Sequence, residues 1–257
     1  MTDPILLLGE KLVPINESLR LIRRSGGLTF GTDSYLLSAF LKDGKGARAV
    51  DLGSGTGVIS LFAAARRHYA KVFAVEVQPV YAELTARNAA LNGLSDVICP
   101  ITADVRDVSE ETTDGTVAAV FSNPPYMPAT SGFPNASEEM NIARREVIGT
   151  VADFCATASR LLSTGGVFYT VYRPERLAEL FSALRAERLE PKRMITVYPD
   201  ENTAPCLVLV ESQKDASPSL RVSPPLLIYE AAQKVYTPAM QRVYDTFSLD
   251  FLFSKEG

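Results

Sequence analysis

Short apolar runs alternate with amphipathic segments along most of the chain, and this alternation predicts the fold. The runs predict seven strands of one sheet, over residues 49–52, 71–75, 97–102, 117–122, 167–172, 195–198 and 206–211. Helical periodicity predicts helices between several of them, over residues 58–67, 79–91, 146–162 and 174–188. Strands that alternate with helices form βαβ units. The pattern therefore predicts an α/β fold with a doubly wound, mainly parallel seven-stranded sheet.

The two ends of the chain differ from this pattern. Residues 5–31 alternate as a β-hairpin does, and a helix over residues 34–41 follows, capped by Thr32 or Asp33. Residues 214–225 are rich in Ser and Pro, and the remainder is predicted to be irregular, with a short helix near residues 239–244. We expect a hairpin and helix extension over 1–46, a core over 47–212, and a C-terminal extension over 213–257, all in one globular unit.

A glycine-rich turn joins the first strand of the core to its first helix. Asp51 precedes the turn, which contains Gly53, Gly55 and Gly57, and glycines there let the backbone turn tightly and approach a ligand. Glu76 ends the next strand about twenty residues later, where a carboxylate can accept both hydroxyls of a ribose. These features predict an adenosyl cofactor.

The spacing of the turn also distinguishes between cofactors. The third glycine comes one residue earlier than in a dinucleotide fingerprint, which would place glycine at Val58. An acidic residue before the turn suits a cofactor with a cationic amino-acid end and no phosphate, such as S-adenosyl-L-methionine. Asp104, just beyond the third strand, is a candidate acceptor for the adenine amino group of that cofactor.

A loop of unusual composition, Asn123-Pro124-Pro125-Tyr126, follows the fourth strand. Methyl transfer to nitrogen requires an aligned lone pair and exclusion of water. The Asn123 side-chain oxygen and the Pro124 carbonyl can accept the two N–H hydrogens of a planar amine. Both prolines fix φ, and Tyr126 offers a ring for stacking. We interpret this loop as the acceptor site.

Composition excludes several other kinds of chemistry. His68 is the single histidine, and the three cysteines lack metal-ligand spacing, so we expect no metal. No run of eighteen apolar residues and no signal peptide is present, so we expect a cytoplasmic protein without a membrane span. The net charge of −4 does not indicate a nucleic-acid binder. Local basic pairs occur at Arg23-Arg24 and Arg144-Arg145.

These motifs together resemble the class I S-adenosylmethionine-dependent methyltransferases with a Rossmann-like fold that modify planar amino groups. Phe30-Gly31-Thr32-Asp33, Ala143-Arg144-Arg145-Glu146 and Arg173-Pro174-Glu175-Arg176 resemble the bacterial tRNA1(Val) adenine-37 N6-methyltransferase family, over about residues 12–229. The resemblance implies a tRNA substrate and S-adenosyl-L-methionine as cofactor.

The resemblance also implies roles for individual residues of the chain. Cofactor contacts are expected from Phe30, Thr32, Asp51, Gly53, Gly55, Gly57, Glu76, Asp104 and Asn123. Catalytic contacts with the target adenine are expected from Asn123, Pro124 and Tyr126. Further substrate contacts are expected from Pro125, Tyr126, Arg144 and Arg145, with both arginines beside the pocket.

Two other functions remain open from the sequence. A protein glutamine N5-methyltransferase acting on a release factor would suit the same loop, because a side-chain amide is as planar as an adenine amine. Such enzymes usually carry a separate helical domain first, whereas only about fifty residues precede the glycine turn here. A non-catalytic cofactor-binding subunit is a third possibility, and the intact loop at residues 123–126 argues against it.

Overall fold

The computed structural model of the protein describes residues 6–16, 18–27, 31–125, 149–231 and 234–254. Its strands are β1 (Glu10–Pro14), β2 (Arg20–Arg24), β3 (Arg48–Leu52), β4 (Lys71–Glu76), β5 (Ile98–Thr102), β6 (Val117–Ser122), β7 (Leu162–Tyr172), β8 (Leu189–Tyr198), β9 (Leu207–Lys214), β10 (Arg221–Val222) and β11 (Leu226–Leu227). Its helices are α1 (Thr32–Phe40), α2 (Val58–Arg67), α3 (Pro79–Leu91), α4 (Val151–Leu161), α5 (Leu177–Ala186) and α6 (Pro238–Thr246).

The main sheet has the order β10-β8-β9-β7-β6-β3-β4-β5, and β11 also pairs with β8. The five strands β3 to β7 pair in parallel, whereas β9 runs antiparallel to both β7 and β8. The predicted doubly wound, mainly parallel sheet of seven strands is therefore confirmed. Two additional strands of two residues each, β10 and β11, extend it beside β8.

Apolar layers cover both faces of this sheet. One core cluster joins the strands to α1, α2 and α6, and a second joins them to α4 and α5. Neighbouring residues of β3 contribute to opposite layers, Ala49 to the first and Val50 to the second. A parallel strand that is buried on both faces needs such a continuous apolar run. None of the described helices combines the length and the apolar character that crossing a bilayer requires.

The expected N-terminal hairpin is present as the antiparallel pair of β1 and β2. It is attached to the main fold through α3. The Asn88 side chain accepts from Ile22 N at 2.7 Å and donates to Ile22 O at 3.1 Å, so that it completes the hydrogen bonding of β2. The same amide nitrogen donates to Thr56 O at 3.0 Å. The hairpin is thereby connected to the glycine-rich turn.

Three predicted boundaries differ from the structure. The helix predicted over residues 146–162 begins at Val151, because Thr150 and Asp153 form a capping box there. The glycines expected to follow it, Gly165 and Gly166, lie inside β7. The C-terminal segment predicted as irregular contains two short strands, β10 and β11, whereas the short helix predicted near residues 239–244 is confirmed as α6.

Strand β8 begins six residues before its predicted start, and its burial pattern explains the difference. Every second residue from Leu189 to Val197 is buried, but two of these positions hold Pro191 and Arg193. A charged residue and a proline interrupt the apolar alternation by which a strand is recognised. Arg193 is nonetheless buried because its guanidinium pairs with the carboxylate of Glu211 on β9 at 2.7 Å.

This ion pair also attaches the C-terminal segment to the sheet. Arg193 Nη1 lies 2.7 Å from Asp250 Oδ1, and the guanidinium packs over the rings of Phe40 and Phe253 at 4.8 and 4.9 Å from the centroids. Glu211 in turn accepts from Lys42 at 2.9 Å. Strands β8 and β9, the end of α1 and the C-terminal segment therefore meet around Arg193.

We predict that Glu211→Gln lowers the free energy of unfolding by about 2–4 kcal/mol, because it leaves the buried guanidinium of Arg193 with only the exposed carboxylate of Asp250 as its partner. Chemical denaturation of both proteins measures the difference. Glu179→Gln is the control, since it removes a carboxylate from a more exposed pair with Arg176, and such pairs contribute about 0.5 kcal/mol or less. Equal stability of Glu211→Gln and wild type would contradict the prediction.

Candidate active site

The carboxyl ends of β3, β4, β5 and β6 meet at one edge of the sheet. Leu52 pairs with Val75 on one side and with Ser122 on the other, while Glu76 pairs with Thr102. The residues that follow these strands therefore lie along a single edge. In open α/β sheets, ligands bind in the crevice outside the carboxyl ends of the strands.

The glycine-rich turn follows β3 at this edge and is held by its neighbours. Gly53 N and Ser54 N both donate to Val75 O at 2.9 Å, and Thr85 Oγ1 donates to Gly55 O at 3.0 Å. Gly57 has a φ of +80°, and a Cβ there would lie 2.6 Å from Thr85 Cγ2. Only glycine fits this position, because both the backbone conformation and the close packing of α3 exclude a side chain.

Glu76, the last residue of β4, connects the turn to α3. Its Oε2 accepts from Gly55 N at 2.9 Å and its Oε1 accepts from Gln78 N at 2.9 Å. The residue is 4% exposed, and this burial raises the pKa of Glu76, although hydrogen bonds from backbone N–H groups oppose the shift. Two carboxylate oxygens can accept about four hydrogen bonds, so Glu76 keeps acceptor capacity for a ligand.

Asp51, one residue before the end of β3, is fully buried. Its Oδ2 accepts from Ser60 Oγ at 2.6 Å and from Ser60 N at 3.1 Å, in the first turn of α2. Burial raises the pKa of Asp51 to about 7, the bonds from Ser60 oppose the shift, and the charge of Glu76 adds to it. Two buried acids therefore lie at this edge, and neither forms an ion pair with any described residue.

Asn123 follows β6 and faces the start of α1. Its Nδ2 donates to Asp33 Oδ2 at 2.9 Å and lies 3.4 Å from Ser34 Oγ. The two following residues, Pro124 and Pro125, are buried. The loop therefore leaves the sheet with its backbone fixed by two packed rings, which limits movement of the amide.

Four buried polar atoms at this edge have no hydrogen-bond partner within the described chain. They are Asp51 Oδ1, Ser54 Oγ, Gln78 Nε2 and Asn123 Oδ1. Buried polar groups are nearly always paired in native proteins, and a cluster of exceptions requires an explanation. These atoms offer both donors and acceptors along one edge of the sheet, which is the arrangement expected for a polar organic ligand.

Asp104, two residues after β5, already has a partner in the chain. Its carboxylate accepts from Arg106 Nε at 2.9 Å and from Nη2 at 2.6 Å. The side-chain hydrogen bond from Arg106 holds the pKa of Asp104 below its usual value. A cofactor amino group at Asp104 would share this carboxylate with Arg106 or displace it.

The remaining predicted contacts divide into exposed residues and residues outside the described ranges. Thr32 is exposed at the first position of α1. Phe30, Tyr126, Arg144 and Arg145 lie outside the described residues, so the roles predicted for them stay predictions. The expected helix cap also differs: α1 begins after Gly31, without a side-chain cap from Thr32 or Asp33.

Sequence patterns did not identify several residues that the fold brings to this site. Ser60 and Gln78 bind the two buried acids, and Ser34 lies beside the Asn123 amide. The contact between Asp33 and Asn123 joins positions ninety residues apart. Nothing in local spacing reveals such a contact; only the position of Asp33 in a Gly-Thr-Asp segment at a helix start marked it for attention.

Comparisons with known proteins agree with this architecture. The family model "Methyltransferase small domain" matches residues 26–187. A solved structure titled as a predicted O-methyltransferase from Agrobacterium tumefaciens superposes with a TM-score of 0.68 at 24% identity, covering 84% of this chain and 97% of that one. The fold, the site and the family model define an enzyme of the methyltransferase class.

Sequence relatives define the family more closely. A tRNA1(Val) (adenine(37)-N6)-methyltransferase of Porphyromonas gingivalis is 31% identical, over 84% of this chain and 87% of that protein. A second protein with this name, from a Flavobacteriaceae bacterium, is 26% identical over 80% of this chain and 85% of that protein. The chain belongs to the tRNA1(Val) (adenine(37)-N6)-methyltransferase family, as the motifs in its sequence indicated.

The raised pKa of Asp51 predicts a pH-dependent stability for the ligand-free protein. The folded state binds the proton of the Asp51 carboxyl more tightly than the unfolded state does. The stabilisation that this proton gives is therefore complete below pH 4 and is lost as the pH rises through about 7. We predict that the free energy of unfolding of Asp51→Asn rises by about 2 kcal/mol relative to that of wild type when the pH is raised from 5.5 to 8, because its amide has no charge to bury.

Denaturant titrations of both proteins at these two pH values measure the gain. Asp96→Asn is the control for loss of one negative charge at an exposed position. A difference between Asp51→Asn and wild type that does not change with pH would contradict the prediction.

Proposed function

We propose that the protein transfers the methyl group of S-adenosyl-L-methionine to the exocyclic N6 amine of an adenine in tRNA. The observation that carries this proposal is the buried, unpartnered Asn123 Oδ1 at the carboxyl end of β6, beside the glycine-rich turn. Membership of the family supports the choice of substrate, because its relatives are named for adenine-37 of tRNA1(Val). That tRNA is the first substrate to test.

The residues at the sheet edge fit this cofactor. When bound, S-adenosyl-L-methionine supplies a methyl group on a positively charged sulfur, together with the ammonium group of its amino-acid end. Asp51 and Glu76 present two buried carboxylates that lack a cationic partner among the described residues, and a cationic ligand would favour their ionised forms. Asp51 Oδ1, Ser54 Oγ and Gln78 Nε2 are the atoms that would bind its polar groups.

The acceptor loop supplies the chemistry at the amine. The lone pair of an adenine amine is delocalised into the ring, so the nitrogen is a poor nucleophile. Asn123 Oδ1 and the Pro124 carbonyl accept its two N–H groups, which favours the pyramidal, positively charged transition state. One of these protons then leaves the methylated nitrogen to water. Stacking of the adenine on Tyr126 completes the proposed arrangement.

A row of tyrosines provides further support for a nucleic-acid substrate. The rings of Tyr229 and Tyr236 stack with centroids 5.3 Å apart, Tyr236 packs on Tyr244 at 4.9 Å, and Tyr244 stacks on Tyr35 at 4.8 Å. Tyr229, Tyr236 and Tyr244 are 37–41% exposed, whereas Tyr35 is buried. Exposed aromatic faces bind unstacked bases, with about 1–3 kcal/mol for each base.

The sheet topology places this tyrosine row toward the edge that carries Asn123. β11 runs parallel to β8 and pairs with it up to Tyr198, the last residue of β8. β8 and β7 are both antiparallel to β9 and hence point in the same direction, and β7 is parallel to β6. Tyr229 follows β11 by two residues. It therefore lies at the same edge as the acceptor loop, where a nucleotide next to the target adenine would pass.

We predict that the purified protein transfers label from methyl-labelled S-adenosyl-L-methionine to tRNA1(Val), and that nuclease digestion yields N6-methyladenosine. Three parallel reactions contain unmodified tRNA1(Val), the same tRNA with its adenine-37 replaced by guanine, and purified release factor. Label in the release factor and none in the RNA would favour the glutamine alternative. Label in neither, with normal cofactor binding, would contradict methyl transfer to both acceptors.

We predict that Tyr229→Ala and Tyr236→Ala raise the KM for tRNA roughly 5- to 150-fold, because the first removes the ring at the end of the row and the second removes the ring on which Tyr229 stacks, and one stacked base is worth about 1–3 kcal/mol. The Kd for S-adenosyl-L-methionine should stay unchanged. Tyr236→Phe keeps the ring and should retain the wild-type KM. Val222→Ala, which shortens an exposed apolar residue on β10 away from this edge, is the matched control. An unchanged KM in both alanine variants would remove this support.

A further inference from the structure

The orientation of the Asn123 amide is set by a residue from the N-terminal part of the chain. Asn123 Nδ2 lies 2.9 Å from Asp33 Oδ2. An ionised carboxylate only accepts hydrogen bonds, so the nitrogen of the amide, and not its oxygen, must face Asp33. The oxygen is then the atom that remains buried and unpartnered within the described chain.

We propose that Asp33 is a positioning residue for methyl transfer: it fixes the Asn123 amide so that Oδ1 accepts from the amine. This inference rests on the function proposed above. It assigns to Asp33 a task that differs from the cofactor contacts that the resemblance implies for Phe30 and Thr32 in the same segment.

Asp33 is itself held firmly. Its Oδ1 accepts from Ser34 N at 2.8 Å, so one oxygen binds the start of α1 and the other binds Asn123. A carboxylate in the first turn of a helix is also favoured by the helix dipole. Residues 34–40 of α1 are buried, so this helix cannot shift without disturbing the core.

Gly31 supplies the space that the Asp33 carboxylate occupies. A Cβ built on Gly31 would lie 2.6 Å from Asp33 Oδ1. The backbone of Gly31 is extended, with φ −117° and ψ 174°, which any residue can adopt. The absence of a side chain at Gly31 is therefore explained by the carboxylate and not by backbone conformation. A methyl group there would push Asp33 away from Asn123.

Correct orientation of the amide matters because the two ends of an asparagine side chain have opposite hydrogen-bonding properties. Rotation by half a turn replaces the acceptor Oδ1 with the donor Nδ2. A donor facing the N–H of the amine would repel it and would not stabilise the developing positive charge. By excluding this rotamer, Asp33 keeps the acceptor in place before substrate arrives, and such preorganisation affects the transition state more than ground-state binding.

A double-mutant cycle with Asp33→Asn and Asn123→Ala tests this coupling. The Asp33→Asn amide keeps the shape of the carboxylate but has only one acceptor oxygen, which Ser34 N already requires. We expect kcat on tRNA to fall roughly 10- to 100-fold in Asp33→Asn, with the KM for tRNA and the Kd for S-adenosyl-L-methionine within about twofold of wild type. In the Asn123→Ala background, Asp33→Asn should change the remaining kcat by less than about twofold, because the amide it orients is gone.

Two further variants refine the test. Gly31→Ala retains the Asp33 carboxylate but displaces it, and should lower kcat in the same direction. Asp96→Asn makes the same change of side chain at an exposed position outside the site and should keep the wild-type kcat. Full activity of Asp33→Asn, or an equal loss in the wild-type and Asn123→Ala backgrounds, would overturn the proposal.

A readout without substrate separates this proposal from the proposed function. The side-chain NH₂ resonances of Asn123, assigned by their loss in Asn123→Ala, should shift and exchange faster with solvent in Asp33→Asn. Thermal melting of each variant checks that it folds. Unchanged resonances would overturn the positioning role. If wild type does not methylate tRNA but the resonances shift as expected, the proposed substrate is wrong, whereas the contact between Asp33 and Asn123 is confirmed.

Discussion

The parallel register of β3, β4 and β6 is the constraint on which the site depends. Because these strands run in the same direction and end at the same level, the glycine-rich turn, Glu76 and Asn123 lie along one edge. The contacts across the edge maintain this alignment: Ser122 Oγ donates to Leu52 O at 2.7 Å, and Glu76 binds the backbone of the turn. A shift of one strand would separate these groups. The apolar layers on both faces resist such a shift, since it would move buried side chains to new positions.

The same edge carries polar atoms that the ligand-free fold leaves unsatisfied. Asp51 is fully buried with one oxygen unpartnered among the described residues, and burial raises its pKa to about 7. Removal of an acid from water is unfavourable unless a partner compensates, so the site reduces the stability of the ligand-free protein. Natural proteins retain such groups where function requires them. The cationic cofactor proposed for this site would supply the missing partner of both acids.

Two parts of the chain outside the central strands complete the architecture. The hairpin of β1 and β2 is bound to α3 through Asn88, which also holds the carbonyl of Thr56 in the glycine-rich turn. At the other end of the chain, Asp250 and Phe253 are attached to the sheet through Arg193. Helix α1 connects these regions to the site, since its first turn carries Asp33 and Ser34 and its last residue, Phe40, packs on Arg193. The N-terminal and C-terminal segments therefore support the active-site edge as well as the core.

The sequence by itself determined the order of strands and helices through most of the core, the glycine-rich turn with Asp51 and Glu76, and the loop at Asn123. These features depend on local periodicity and short spacing, which a single chain displays directly. It did not reveal the early start of β8, because burial of Arg193 depends on a partner on another strand. Only the tertiary structure decided which way the Asn123 amide faces and which buried atoms remain unpartnered. Both depend on contacts between residues far apart in the chain, such as Asp33 and Asn123, and no local pattern encodes such contacts.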